Sequence, residues 1–190
     1  MPAHSPEAWR LVYETHATSL DNETGLASGH YDVALSPLGE RQAAEMGARY
    51  RDDPPSLVLT SDLQRAWRTA EIAFGSRLPI VRDARLRECD YGELTRRPAR
   101  EIDPFRLAAI DTPFPGGESY TEATARVAAC LDDLRRSWPG GWVLLIGHRA
   151  THYALDHLLD GVPLVEAISA AFAWQPGSRY TLLTRSGARR

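Results

Sequence analysis

Short apolar runs alternate with longer amphipathic segments along this chain of 190 residues. The runs are five to eight residues long and rich in Leu, Val and Ile, which is typical of buried strands. The segments between them repeat apolar residues at the three- and four-residue spacing of a helix. We expect strands over 10–14, 56–61, 141–148 and 179–184, with weaker candidates at 78–83 and 170–175.

Helix start and stop signals bound the amphipathic segments. A serine followed three residues later by Glu or Gln has the spacing of a capping box, in which side chains satisfy the first backbone N–H groups. Proline favours the first helical position, and glycine favours the position after the last. The signals are Ser36-Pro37 for one helix, Ser61 with Gln64 and then Gly75 for the next, Ser119 with Glu122 for the third, and Gly161 for the end of the fourth.

This alternation of strands and helices predicts an α/β fold with a mostly parallel central sheet. A mass of 21.1 kDa fits one domain with a single core. We therefore expect residues 1–190 to form one domain whose core spans about 10–184. The segment 87–117 breaks the alternation because it is rich in proline and contains the turn PGGES, and such an excursion is typically a site-forming insert.

Composition narrows the classes of function. The formal net charge is −3, so no basic field would attract nucleic acid. Every one of the 22 basic residues is arginine, so an anion site would use guanidinium groups, histidine or backbone N–H groups. The isolated Cys89 and Cys130 argue against a disulfide framework and a thiolate zinc site. With neither a signal peptide nor a membrane span in the pattern, we expect a cytoplasmic enzyme or binding protein.

Three predicted strands are followed by residues suited to phosphate chemistry. His16 follows the first strand, Arg65 lies in the first turn of the helix after the second, and His148 follows the third. Because the carboxyl ends of parallel strands meet at one ligand-binding edge of the sheet, we expect these side chains to lie together. The helix that bears Arg65 would also direct its N-terminal amides to an anion there. Each residue alone is more often structural, but their convergence favours a phosphoryl-group site.

Two other enzyme classes fit the pattern poorly. His148 and His152 have the spacing of zinc peptidase ligands, but Arg149 stands where the motif H-E-x-x-H requires glutamate. A guanidinium group beside a dication is unfavourable, so we expect no metal. We interpret His152 and His157 as residues of an ordinary helix face. A serine hydrolase of the G-x-S-x-G type is disfavoured because the sequence lacks that motif.

Five segments, in order, resemble the motifs of the histidine phosphatase superfamily, which includes the cofactor-dependent phosphoglycerate mutases. The first, THATSLDNETGLASGHYDVALSPLGERQA, resembles the N-terminal signature that contains R-H-G. The others are TSDLQRAWRTA, LRECDYGEL, FPGGES and LLIGH. The resemblance spans about residues 10–184, and five ordered blocks are far more specific than any one. It implies a three-layer sandwich in which helices flank a mostly parallel sheet.

The same resemblance implies a phosphatase that hydrolyses a small phosphomonoester through a phosphohistidine, with no metal and no other cofactor. His16 would be the nucleophile, and Glu88 would protonate the leaving alkoxide and then activate water. Arg65 and a protonated or hydrogen-bonding His148 would bind the phosphoryl oxygens. The expected substrate-binding residues are Asn22, Ser28 and Arg149.

Two positions depart from the R-H-G motif. Thr15 stands where an arginine precedes the nucleophile, and Ala17 stands where a glycine follows it. Losing one hydrogen bond to a charged group costs about 1.5–3 kcal/mol, or roughly ten- to a hundredfold in phosphate binding. Glu14 adds a carboxylate that would share a strand face with His16 and repel a phosphate. The candidates for the missing positive charge are Arg149, Arg85, Arg87 and Arg97.

Two alternative functions stay open beside the phosphatase. A phosphoglycerate-type phosphomutase is one, since DYGELTRRPARE resembles the mutase stretch Y-G-x-L-x-G with Arg96 at the last glycine. Mutases of the family are longer, however, and carry an extra basic segment. The other is a binder of a phosphorylated ligand that has lost turnover, which Glu14 and Thr15 favour. In each case the expected partner is a small phosphorylated molecule, and the oligomeric state is left open.

Overall fold

Four parallel strands and one antiparallel edge strand form the sheet of this protein, seen in a computed structural model that describes residues 8–137, 141–170 and 175–183. The strand order is β3-β2-β4-β1-β5. β1 pairs in parallel with β4 and antiparallel with β5, while β2 pairs in parallel with both β3 and β4. The strands are β1 Ala8–Thr15, β2 Leu57–Thr60, β3 Ile80–Arg82, β4 Val143–Gly147 and β5 Ser178–Leu183.

Helices cover both faces of this sheet. Residues of α2 and α3, such as Met46 and Phe74, pack with Val12 and Leu144 on one face. Residues of α5 and α6 pack with Leu11 and Leu145 on the other. The predicted α/β three-layer sandwich is thereby confirmed. The helices of the described ranges are α1 Leu20–Glu23, α2 Pro37–Arg49, α3 Gln64–Phe74, α4 Ala99–Ile102, α5 Tyr120–Ser137, α6 Arg149–Asp160 and α7 Leu164–Ser169.

Most of the predicted boundaries are confirmed. All four main strands form, and the weaker candidate at 78–83 is β3. Ser36 Oγ accepts the Gly39 N–H at 3.1 Å, and both arms of the Ser119–Glu122 capping box are present. Gly161 ends α6 in the left-handed region, with φ of 72°. The candidate strand at 170–175 falls mainly on 171–174, outside the described residues.

The capping box predicted at Ser61 is wrong. Leu63 occupies the N-cap position of α3 and makes no side-chain capping bond. Ser61 Oγ instead accepts the Leu63 N–H at 3.3 Å and lies 2.6 Å from His148 Nε2. Because β2 ends at Thr60, the serine lies at the carboxyl edge of the sheet, where its hydroxyl group contacts His148, the residue that follows β4.

The insert at 87–117 is irregular, as expected, and packs over a second apolar cluster. It contributes Tyr91, Ile102 and Phe114, which pack with residues of α5, α6 and α7. The buried Arg106 ties the insert down, because its Nη1 donates to the hydroxyl groups of Tyr91 at 3.1 Å and Tyr120 at 2.6 Å. The insert thus holds Glu88 at the sheet edge. In the described ranges, no helix is both long and apolar enough to cross a membrane.

Candidate active site

His16 and His148 meet at the carboxyl edge of the central strands. β1 and β4 are paired up to Thr15 and Gly147, and the His16 N–H donates to the Gly147 carbonyl oxygen at 3.0 Å. The two imidazole ring centroids lie 5.0 Å apart, with an interplanar angle of 54°. The structure therefore brings together the two histidines that the sequence places after separate strands.

The orientation of the His16 ring is set by its own backbone. Nδ1 lies 2.7 Å from the Ala17 carbonyl oxygen, which can only accept, so Nδ1 carries the proton and Nε2 keeps a lone pair. Burial, followed by the nearby Arg65 guanidinium, lowers the pKa of His16 to about 3. His16 is therefore a neutral imidazole at neutral pH.

His148 is fully buried and engages a hydroxyl group. Its Nε2 lies 2.6 Å from Ser61 Oγ, while Nδ1 has no hydrogen-bond partner among the described residues. Burial, followed by the charge of the Arg65 guanidinium, lowers the pKa of His148 well below its ordinary value. The imidazole is therefore neutral, and of the two forms expected from the sequence the hydrogen-bonding one fits.

Arg65 lies behind the histidines and holds a loop in place. It is 1% exposed, and its guanidinium donates to the carbonyl oxygens of Gly29 at 2.8 Å and Tyr31 at 3.0 Å. Burial lowers the pKa of Arg65. Ser28, which is also buried, precedes Gly29 in this loop. Arg65 thus supplies positive charge beneath the site and also fixes the segment that follows α1.

The N-terminus of α3 does not offer its first amide to an anion, contrary to the expectation from the sequence. The Gln64 N–H donates to Asp32 Oδ1 at 2.5 Å. The start of α6 is likewise occupied, because the Glu88 carboxylate accepts N–H groups from Arg149 at 3.2 Å and Ala150 at 3.1 Å. A carboxylate of the insert therefore takes the place at α6 that an anion could occupy.

A cavity of about 690 Å³ opens beside His16. Of the residues expected from the sequence, His16, Asn22, Glu88 and Arg149 contribute to its wall, whereas the buried Ser28, Arg65 and His148 do not. Asn22 also caps α1, accepting the Ser19 N–H at 3.0 Å. The described residues that line the cavity are Thr15, His16, Ala17, Thr18, Asn22, Gln42, Glu45, Met46, Arg49, Glu88 and Arg149.

Comparison with known proteins identifies the family. The sequence profile described as histidine phosphatase superfamily (branch 1) matches residues 15–189. The chain belongs to this superfamily. The resemblance noted in the five sequence blocks is thereby confirmed, and the family is one of phosphatases and mutases.

Relatives within the histidine phosphatase superfamily have different names. A Yersinia enterocolitica protein named probable phosphoglycerate mutase GpmB is 33% identical over 157 residues, which cover 78% of this chain and 73% of the relative. Uncharacterized phosphatase PhoE of Bacillus subtilis is 35% identical over 134 residues, covering 70% and 68%. The structure of a mycobacterial glucosyl-3-phosphoglycerate phosphatase complexed with VO3 is 28% identical, with a TM-score of 0.76 and coverage of 86% and 87%.

The wall formed by α2 is the part of this histidine phosphatase site that the sequence analysis missed. Four residues of α2 have the spacing of one helix face and line the cavity. They are Gln42, Glu45, Met46 and Arg49. That spacing was the available signal, but it does not say whether the face meets a cavity or the core.

Glu14 also has a different environment from the one expected. It is fully buried, and its Oε1 accepts from Arg49 Nη2 at 3.0 Å and from the Tyr50 hydroxyl at 2.7 Å. The carboxylate is therefore directed to the end of α2, and a guanidinium neutralises it.

Three of the four arginines proposed to replace the missing charge do not contribute to the cavity wall formed by the described residues: Arg85, Arg87 and Arg97. Arg85 pairs with Asp83 and Asp133, and Arg87 pairs with Asp62. The fourth, Arg149, lines the cavity, and its Nε donates to the Tyr153 hydroxyl at 3.1 Å.

Proposed function

We propose that this member of the histidine phosphatase superfamily hydrolyses a small phosphomonoester through a phosphohistidine on His16. The observation that supports the proposal most strongly is the Nδ1 hydrogen bond to the Ala17 carbonyl. It leaves the Nε2 lone pair of a neutral imidazole, on a residue that lines the cavity, as the nucleophile.

In the first step, Nε2 attacks phosphorus in line with the bond to the leaving oxygen. The P–N bond forms as the P–O bond breaks, and Glu88 gives its proton to the leaving alkoxide. Arg65 contributes positive potential from beneath, and His148 offers an N–H to a phosphoryl oxygen. Asn22 and Arg149, which line the cavity, are the proposed contacts to the rest of the substrate, and a contact from the buried Ser28 stays a prediction from the sequence.

In the second step, water attacks phosphorus on the side opposite to His16. Glu88, now a carboxylate, takes one proton from that water, the P–N bond breaks, and inorganic phosphate leaves. The imidazole returns to its neutral form and Glu88 regains its proton, so the cycle balances. Arginine and imidazole groups stabilise charge throughout, and we propose that neither step needs a metal ion.

A phosphomutase is the second candidate, favoured by the conformation of Arg96. This residue has φ of 63° in the stretch that resembles the mutase Y-G-x-L-x-G, at the position of the last glycine. The backbone there keeps a glycine-like conformation despite the arginine side chain. Feeding 3-phosphoglycerate separates the candidates, because a phosphatase releases inorganic phosphate whereas a mutase yields the isomer.

A panel of phosphomonoesters, assayed with and without a chelator, tests the proposed function. We expect release of inorganic phosphate from at least one member at an unchanged rate in chelator. A requirement for metal, or phosphate transfer with no hydrolysis, would contradict the proposal. The cytoplasmic location, the absence of nucleic-acid partners and the single-domain organisation stay predictions from the sequence.

A further inference from the structure

An ion pair whose carboxylate is buried lies beside the proposed nucleophile. Glu14 precedes His16 by two residues on β1, is fully buried, and pairs with Arg49 at 3.0 Å. We propose that Arg49 binds the phosphoryl group of the substrate, in place of the arginine that Thr15 replaces, and that Glu14 positions it. This inference rests on the proposed function and extends it to a residue outside the family's sequence blocks.

The environment of Glu14 requires a cation at this place. A buried carboxylate without a partner is strongly destabilising, and here it would also repel a phosphoryl dianion close to His16. Only one of its oxygens is satisfied, by Arg49 and Tyr50, while Oε2 has no partner among the described residues. The negative charge of Glu14 therefore attracts the Arg49 guanidinium to this place, and the two side chains together add no net negative charge.

The helix that bears Arg49 packs closely against the nucleophile loop, which is the segment 16–19 between β1 and α1. A side chain at Gly39 would overlap the Thr18 carbonyl oxygen, so α2 approaches the loop as closely as a glycine allows. Gln42 Oε1 accepts the Thr18 N–H at 3.0 Å, and Ser36 N–H donates to the Thr18 carbonyl at 3.0 Å. These contacts fix the position of α2, and with it Arg49, relative to His16.

The chemistry of the guanidinium group fits both tasks. It carries five N–H donors in a planar fork, so an arginine oriented by one carboxylate can also donate to a second anion. Arg49 and His16 line the same cavity. Thr15 lines it too, but its short side chain contacts the Tyr13 hydroxyl at 3.3 Å and brings no charge.

The test removes the guanidinium without leaving a buried charge. The double variant Glu14→Gln/Arg49→Met is compared with Arg41→Met, an exposed arginine of the same helix that does not line the cavity. Calorimetry with inorganic phosphate gives a Kd that does not depend on turnover. We expect the double variant to bind phosphate about ten- to a hundredfold more weakly, the cost of one charged hydrogen bond. The Arg41→Met variant should match the wild type.

Adding Thr15→Arg to the double variant should recover most of the lost affinity, because it returns a guanidinium to the site. A double variant whose phosphate Kd stays within twofold of the wild type would overturn the proposal, even if its activity on larger substrates falls. Should the double variant not fold, Arg49→Lys keeps the charge beside Glu14 but loses the fork. We then expect a severalfold rise in Kd at an unchanged melting temperature, and an unchanged Kd would equally overturn the proposal.

The proposed function fails separately from this inference. A wild type that binds phosphate through Arg49 but neither hydrolyses phosphomonoesters nor forms phosphohistidine would contradict the phosphatase and keep the role of Arg49. A wild type that hydrolyses phosphomonoesters, but whose phosphate Kd is unchanged in the double variant, would keep the phosphatase and contradict the role of Arg49.

Discussion

Ser61 Oγ lies 2.6 Å from His148 Nε2, and this contact is the hydrogen bond that orients the His148 ring among the described residues. The Leu63 N–H donates to Ser61 Oγ, and we infer that the hydroxyl group in turn donates its hydrogen to Nε2. The proton of the neutral ring then resides on Nδ1, which has no partner among the described residues. An unpaired buried donor is costly in the resting protein, and in the proposed mechanism it donates to a phosphoryl oxygen of the bound substrate.

Replacing Ser61 by alanine should therefore lower kcat/KM. Without the hydroxyl group, His148 can adopt the tautomer that places a lone pair towards the phosphoryl group. We expect a loss of about tenfold, equivalent to about 1.4 kcal/mol, and near-complete rescue by Ser61→Thr. Ser76→Ala, at an exposed serine, is the control. Equal kcat/KM values for Ser61→Ala and the wild type would show that the serine does not position His148.

The ring of His16 should stay neutral under mildly acidic conditions. Burial and Arg65 lower its pKa to about 3, so protonation of the folded protein begins far below the usual value of 6.5. In an NMR titration, the His16 ring resonance should not move between pH 8 and pH 5. The His16→Asn variant assigns that resonance by its absence. A midpoint near pH 6.5 would show that the environment does not suppress protonation.

Two histidines with lowered pKa values make folding pH-dependent. The unfolded chain gains protons on His16 and His148 below about pH 6.5, while the folded chain does not, so the free energy of unfolding falls as the pH drops. Each group contributes a slope of up to about 1.4 kcal/mol per pH unit. Urea unfolding at several pH values from 7.5 to 4.5 measures the slope.

The His16→Asn variant should show a shallower slope than the wild type over that same pH range. Identical slopes would mean that His16 does not take part in the linkage.

The close approach of α2 to the nucleophile loop can be tested by replacing Gly39 with alanine. A methyl group at Gly39 would meet the Thr18 carbonyl, whereas one at Gly47 would meet the Ala73 carbonyl on α3. We expect both alanine variants to lose about 1–3 kcal/mol of stability through overpacking. Only Gly39→Ala should also lower kcat/KM, because it moves the loop that carries His16. Equal effects of the two variants on kcat/KM would contradict a specific role for this contact.

The sequence was sufficient to predict the fold because its signals are local. The four main apolar runs, the Ser36 cap and the Ser119–Glu122 box each depend on neighbours a few residues away, and all of these form. Ser61 could not be predicted in the same way. The partner that takes its hydroxyl group, His148, is 87 residues distant, and competition between a cap and such a partner is decided by tertiary structure.

In the candidate site, too, some contacts follow from local sequence signals and others depend on tertiary structure. The positions of His16 and His148, each directly after a predicted strand, were enough to predict that they meet, because the carboxyl ends of parallel strands lie at one edge of the sheet. The pairing of Glu14 with Arg49 joins residues 35 positions apart, on β1 and at the end of α2. It depends on how that helix is placed on the sheet, which no spacing along the chain specifies. The arginine candidates drawn from sequence therefore left Arg49 out.

The proposed mechanism depends on the phosphorylation of His16. Incubating the wild type with a 32P-labelled phosphomonoester substrate from the panel, quenching rapidly and mapping the label tests this directly. We predict an acid-labile, base-stable label on His16 that is absent from His16→Asn and that accumulates in Glu88→Gln, where hydrolysis is slowed. Phosphate release without any label on His16, or activity retained by His16→Asn, would contradict the account.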